Sequence, residues 1–426
     1  MRQKYLVPHI DGPTIELPAT RLLRGKWVAA RLDQTGRAYS GAFRIDFSPG
    51  CEPERALNAV ADTLAKHSIL AAHFEIVTDK LVGCVSIESV LKQALRQQLY
   101  RFHDGVTDED FIAYSSNQMK GAELRLASAK DEEGLHVWIG FPTFTCDGTS
   151  IDLLIEGISC QYLKKSFGPS CNWIEYAQAE IVRSSKRSIS IQDCLEIYPK
   201  PGPYGLDAIR HTPYSHKGKT QSVSFDTSVL RKIVMVYAKT CRVTPFVLLF
   251  AMFQRAVSAV SGVKTIVTGV PFVNRYTAYD YKVVGPLSNT VVITTCHVSR
   301  NESLPDLLGR LQKSMIKATG RQGIEASAFY PKGVSSRNVD YELPFPQLFN
   351  AWNARLDGAR LSLGESNWMT VHLLPNNTCR AGFEVSLDSQ TETISGRIDM
   401  DADAYGNKAQ ELIDVMKQDL EDIRLN

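Results

Sequence analysis

No run of apolar residues in this 426-residue chain approaches the roughly 18 that suggest a membrane span. The first residues, Met1 to His9, carry no apolar stretch of the secretory kind. Charge of one sign is missing too: 48 Lys and Arg face 46 Asp and Glu, leaving +2, not the basic surplus of a nucleic-acid binder. The nine cysteines are odd in number and form no Cys-x-x-Cys pair, so they read as free thiols and not as a disulfide framework or zinc site. Together these absences predict a cytoplasmic protein without membrane, nucleic-acid or metal partners. There is also no Walker phosphate loop, no GxGxxG behind a strand, no HExxH and no GxSxG elbow. ATP-driven, NAD-dependent, zinc-peptidase and α/β-hydrolase chemistries therefore have no basis here.

The residues that are present suit a globular protein, with 44% apolar and 22% charged. The length exceeds what one hydrophobic core supports, so two lobes are expected. From Pro53 to His67, Ala56, Leu57, Val60 and Leu64 recur at helical spacing behind acidic Glu54. From His136 to Thr145, the alternation of Val137, Ile139 and Phe141 predicts a half-buried strand. A turn at Asp147-Gly148 then leads into a helix presenting Ile151, Leu154, Ile155, Ile158 and Tyr162, with Thr149 or Ser150 as its cap. In the second half, Thr244-Pro245 and Gly262 bracket a helix that reaches Val260. Thr265 to Val270 is rich in β-branched residues and predicts a buried strand. Further helices are expected from near Ser303, with Leu307, Leu308, Leu311 and Met315, and from about Ala409. Tyr198 to Gly205 holds three prolines and two glycines, which exclude regular structure. The lobes are accordingly expected at 1–195 and 221–426, joined by a linker at 196–220 that carries His211 and His216.

An Asp-Gly pair behind a strand is, by itself, a turn signal. Here the run Gly140-Phe141-Pro142-Thr143-Phe144-Thr145-Cys146-Asp147-Gly148-Thr149-Ser150 has company: Lys66 to Phe74 upstream, and Gly269 to Arg275 and Gly285 to Thr290 downstream. In this order and at these intervals, the four segments resemble the condensation domains of nonribosomal peptide synthetases, which belong to the chloramphenicol-acetyltransferase-like acyltransferases. The family's RHexLRTxF-type segment is similar to Lys66 to Phe74, and its HHxxxDGxS signature falls on Pro142 to Ser150. Its GxPxxxR and GxFxNT segments fall on Gly269 to Arg275 and Gly285 to Thr290. The resemblance implies an α/β fold of two chloramphenicol-acetyltransferase-like lobes in a V-shaped pseudo-dimer with a central tunnel. It further implies that a late segment, after Pro375, bridges from the second lobe to the first. With no adenylation or carrier module beside these segments, a stand-alone member is expected.

The resemblance also implies roles, residue by residue. Pro142 and Thr143 stand where the family has two histidines, so the HHxxxDG signature is degenerate and Thr143 replaces the residue credited with the acceptor's proton. Asp147 matches the family aspartate, an architectural partner of the arginine at Arg275, with Gly148 beside it. Pro142, Cys146, Ser150, His73, Ser288 and Asn289 become candidates for the substrate tunnel. No metal site and no bound cofactor is implied. The substrates implied are thioesters on the phosphopantetheine arm of an acyl or peptidyl carrier protein, with a small amine or a carrier-bound acceptor.

A threonine hydroxyl has no useful basicity near neutral pH. His136 offers no substitute: it lies about seven residues up the strand from Thr143, on the order of 20 Å away. Cys146 has no evident basic partner to activate it. General acid–base catalysis contributes about 3–5 kcal/mol, whereas holding two reactants in attack geometry contributes about 7–11 kcal/mol. A thioester is already activated and a free amine already nucleophilic, so positioning alone sustains amide formation better than ester formation. The expectation is amide-forming acyl transfer without a histidine base. The alternative is a non-catalytic recruitment or scaffold protein for carrier-bound intermediates or tailoring enzymes.

Overall fold

Two units interleave along the chain. The first comprises Met1–Lys186, Arg275–Ser288 and Ala354–Asn376, and the second Arg187–Asn274, Asn289–Asn353 and Asn377–Asn426. The computed structural model describes residues 4–33, 36–116, 124–166, 171–187, 196–197, 202–212, 220–325, 345–351, 356–388 and 391–425. Tyr198 to Pro201 and His216, parts of the expected linker, lie outside the described residues. A single cut at 196–220 thus differs from the observed division, in which the chain returns twice to the first unit. The late excursion runs through Pro375 and does not begin after it. Non-local bonds draw these segments in, and composition does not register them. Arg275 pairs with Asp147, and strand Asn367–Leu374 pairs with Ser40–Phe47.

In the first unit, a five-stranded antiparallel sheet runs in the order Arg360–Gly364, Asn367–Leu374, Ser40–Phe47, Gly134–Pro142, Arg125–Asp131. A second, three-stranded antiparallel sheet places Lys80–Ser86 between Thr14–Pro18 and His73–Val77. The expected helix near Pro53 spans Pro53–Ala65. It stops short of His67 because the chain tightens there into a 3₁₀ turn at Ser68–Ala71. This helix packs against helices Glu88–Leu99 and Gly148–Tyr162. The apolar stripe Ile151, Leu154, Ile155 and Ile158 is buried, as its 3.6-residue spacing requires.

The second unit is built on a six-stranded mixed sheet in the order Thr220–Leu230, Thr393–Asp401, Phe383–Leu387, Gln347–Ala351, Ile266–Phe272, Asn289–Thr295. Its central helix, Pro245–Ser261, starts with Thr244 accepting the Val247 N–H at 3.2 Å and ends at Gly262 with φ 73°, the left-handed cap that glycine adopts at least cost. From this helix Phe253 stacks on Phe349 and Phe250 meets it tilted, with centroids 5.0 and 5.3 Å away. All three are fully buried, each contributing about 1.5–3 kcal/mol by removal from water. Among the described residues no single helix is long and apolar enough to cross a membrane. Helices Arg231–Thr240 and Pro245–Ser261 meet that criterion only as a pair bent by 98°.

Candidate functional site

The signature strand, Gly134–Pro142, ends at Pro142 and not at the expected Thr145. Thr145 folds back, and both its N–H and its hydroxyl donate to the Pro142 carbonyl at 2.9 Å. The turn delivers Asp147 to the head of helix Gly148–Tyr162, where its carboxylate accepts the Ser150 N–H at 2.9 Å. Asp147 is therefore the N-cap, in place of the expected Thr149 or Ser150. A carboxylate there also suits the positive end of the helix dipole.

Asp147 is the centre of a buried cluster within the first unit. Its Oδ1 accepts from Arg275 Nη2 at 2.8 Å and from the Ser150 hydroxyl at 2.7 Å, while its Oδ2 accepts the Ser288 N–H at 2.8 Å. The Arg275 and Asp147 side chains are 0% and 2% exposed. Arg275 Nη1 donates to the carbonyls of Asp280 (2.6 Å) and Val283 (2.8 Å), which fixes the loop after Arg275. The Ser150 hydroxyl accepts the Gly285 N–H at 2.9 Å and Arg275 Nη2 at 3.2 Å. A charge taken out of water is tolerated when matched in this way. None of these groups is placed to take a proton from a substrate: the carboxylate already accepts four hydrogen bonds within the cluster, and a guanidinium has donors only.

The other sequence candidates fall into separate places. Thr143 is half-buried; its N–H donates to the Tyr39 carbonyl at 2.8 Å, and its hydroxyl has no hydrogen-bond partner among the described residues. It can bond a substrate group but cannot serve as a base. Pro142 is buried at the strand's end, opposite Ser40. Cys146, expected as a tunnel candidate, is 1% exposed, and its thiol faces the Asp147 carbonyl at 3.6 Å. Burial, followed by the Asp147 charge, pushes that thiol well above its ordinary pKa, so it is no nucleophile. His73 is exposed at the start of strand His73–Val77. Asn289, also a tunnel candidate, belongs to the second unit, where its buried amide donates to the Gln322 and Ile324 carbonyls at 2.8 and 2.7 Å. That is a helix-end brace, with no donor left for a substrate. Gly148 is exposed, and a Cβ there would meet nothing within 4 Å.

Lys26, Asp280 and Thr277 were given no role by the sequence, and His67 stood only as part of the segment Lys66 to Phe74. Lys26, on helix Arg21–Leu32, donates from Nζ to the Pro286 carbonyl (3.1 Å) and the Ser288 hydroxyl (3.3 Å), and no motif marks it. Asp280 and Thr277 cap each other reciprocally, each accepting the other's N–H at 3.1 Å. The Thr-x-x-Asp spacing is a legible capping-box signal. His67 is buried, and burial with the neighbouring Lys66 charge lowers its pKa to about 4, so it stays neutral at physiological pH. Among the described residues no hydrogen bond joins it to Thr143 or Asp147, and no group of His, Cys, Asp and Glu could hold a metal ion.

No family model matches this chain. It is 23% identical over 364 residues to bacitracin synthase 1 of Bacillus licheniformis, a match covering 83% of this chain and 6% of that protein's length. The chain thus corresponds to a small part of the curated relative it matches. Among solved structures, the first condensation domain of the calcium-dependent antibiotic synthetase, in complex with a substrate analogue, superposes with a TM-score of 0.71 at 12% identity, covering 96% of this chain and 95% of that one. A mutant starter condensation domain of rhizomide synthetase, in complex with C8-CoA, gives 0.74 at 15% identity over the same shares, 96% and 95%. The chain has the condensation-domain fold, an α/β architecture of two chloramphenicol-acetyltransferase-like lobes.

Proposed function

We propose that this chain is a condensation-type acyltransferase of natural-product assembly, joining an acyl thioester to an amine without a histidine base. The amine nitrogen attacks the thioester carbonyl, the C–S bond breaks, and the sulfur leaves as a thiol carrying the proton that nitrogen gives up. The donor is an acyl group on the phosphopantetheine arm of a carrier protein, and the acceptor is a small amine or a carrier-bound one. The condensation-domain fold and the likeness to bacitracin synthase 1 support this reading. The observation that carries it is the signature turn itself. The Asp147–Arg275–Ser150 frame is intact, and four residues before Asp147 the Thr143 hydroxyl has no hydrogen-bond partner among the described residues. Positioning, worth about 7–11 kcal/mol, then supplies the catalysis.

A recruitment role is the second reading. The specific observation behind it is that, among the described residues, no side-chain base is hydrogen-bonded to the Thr143 hydroxyl. One experiment separates the two: purified protein is incubated with an acyl-loaded carrier and a panel of amines and alcohols, alongside Thr143→His. Amide formation by the wild type, with alcohols poor acceptors, is the expected result. Carrier binding without turnover, or turnover only in Thr143→His, assigns the chain to recruitment instead.

A further inference from the structure

The signature strand carries a second ionic cluster near its other end, sharing no hydrogen bond with Asp147. His136 pairs across the sheet with Asp46, and Arg44 with His372. His136 Nδ1 lies 2.6 Å from Asp46 Oδ1, and its Nε2 lies 3.1 Å from Asp131 Oδ1 in the turn at the strand's start. Asp46 is filled on both oxygens. Oδ1 also accepts from Arg44 Nε at 2.9 Å, while Oδ2 accepts from Arg44 Nη2 at 3.1 Å and faces His372 Nε2 at 3.1 Å. From helix Asp108–Ser116, Asp108 accepts from Arg44 Nη1 and from Trp138 Nε1, both at 2.7 Å. The charged and titratable groups around His136 are therefore Arg44 and Asp46 on one neighbouring strand, His372 on the next, Asp131 in the turn and Asp108 on the helix.

Both ring nitrogens of His136 face carboxylate oxygens. A neutral imidazole has one N–H and one lone pair, so it would set that lone pair against one of them. Only the imidazolium donates to both. We propose that His136 is a proton-operated clasp, which as imidazolium fastens the Asp131–Gly134 turn to Asp46 on strand Ser40–Phe47 and releases that turn on losing its proton. The strand that carries the clasp is the one that ends at Pro142 and leads to Thr143. The turn is otherwise tight. Asp131 Oδ1 also accepts the Glu133 and Gly134 N–H groups at 2.8 and 3.2 Å, and Gly134 has φ 135° with Phe47 oxygen where a Cβ would stand.

The electrostatics agree with the geometry. The hydrogen bond to Asp46, opposed by burial and aided by Asp131, holds the His136 pKa above its ordinary value. A raised folded-state value means that the stabilisation is complete below the unfolded imidazole's value, about 6.5, and is lost as pH rises through the folded one.

The test is an NMR titration of the imidazoles in the full chain, with amide exchange of residues 132–137 followed over the same range and corrected for intrinsic rates. His136 is expected to titrate above the ordinary histidine range. Protection of the turn should fall by about tenfold for each unit by which its pKa is raised. Asp131→Asn, a surface change, should lower the His136 midpoint, and His136→Gln should abolish the pH dependence of protection. Three results overturn the clasp: His136 titrating at or below the ordinary range, turn protection indifferent to pH, or a midpoint unmoved in Asp131→Asn. If His136→Gln does not fold, the wild-type titration decides.

Discussion

Asp147 and Thr143 sit four residues apart, yet the structure asks opposite things of them. Asp147 receives Arg275, the Ser150 N–H and hydroxyl, and the Ser288 N–H. Removing its carboxylate strands a guanidinium that is fully enclosed, and breaking one side of a buried pair costs about 3–5 kcal/mol. Thr143 offers a half-buried hydroxyl with no hydrogen-bond partner among the described residues, and losing it belongs with substitutions that change stability by within about 0.5 kcal/mol. Urea denaturation should therefore show Asp147→Ala strongly destabilised and Thr143→Ala close to wild type. A stable but inactive Asp147→Ala would mean that the carboxylate acts on substrate, contrary to its saturated bonding.

At the scale of elements, the site's turn and loop differ in how much space they leave. Gly148 opens helix Gly148–Tyr162 and faces open space, so Gly148→Ala should be neutral or stabilising by up to about 1 kcal/mol. Gly285 lies flat against Trp173, where a Cβ would come within 2.6 Å of the indole, and Gly285→Ala should cost about 1–3 kcal/mol. Thermal unfolding of the two variants checks both, and equal effects would refute the packing argument. The same contrast explains what the sequence disclosed. Helix Pro245–Ser261 was legible because Thr244, Pro245 and Gly262 act on their own neighbours. The signature strand and helix were legible through period and turn, but the strand runs from Gly134 to Pro142 and not from 136 to 145, is buried on both faces and not half-buried, and the helix cap is Asp147. That Asn289 is a strand-end residue bonding the backbone was legible, but Lys26 and the carbonyls that Asn289 braces were not. Both side chains act on carbonyls supplied by distant loops, and neither periodicity nor spacing encodes such a bond.

For the molecule as a whole, the interleaving of the two units decides which pieces can fold. Residues 1–186 make up most of the first unit but lack both of its later segments. Without Arg275–Ser288, Asp147 loses its counter-charge, the Ser288 N–H bond and the Gly285 partner of Ser150. Without Ala354–Asn376, strand Ser40–Phe47 loses the neighbour that pairs with it from Met369↔Phe47 to Leu374↔Ala42, turning an interior strand into an exposed edge. Each loss is of the size that undoes a domain whose whole stability is about 5–15 kcal/mol. The fragment 1–186 is thus expected to show no cooperative thermal transition and poor amide dispersion by NMR, and to regain both when 187–426 is supplied in trans. A sharp transition from 1–186 alone would show that the late segments decorate the first unit without completing it. The Asp147–Arg275 pair would then lose its place as the bond that closes the fold around the signature.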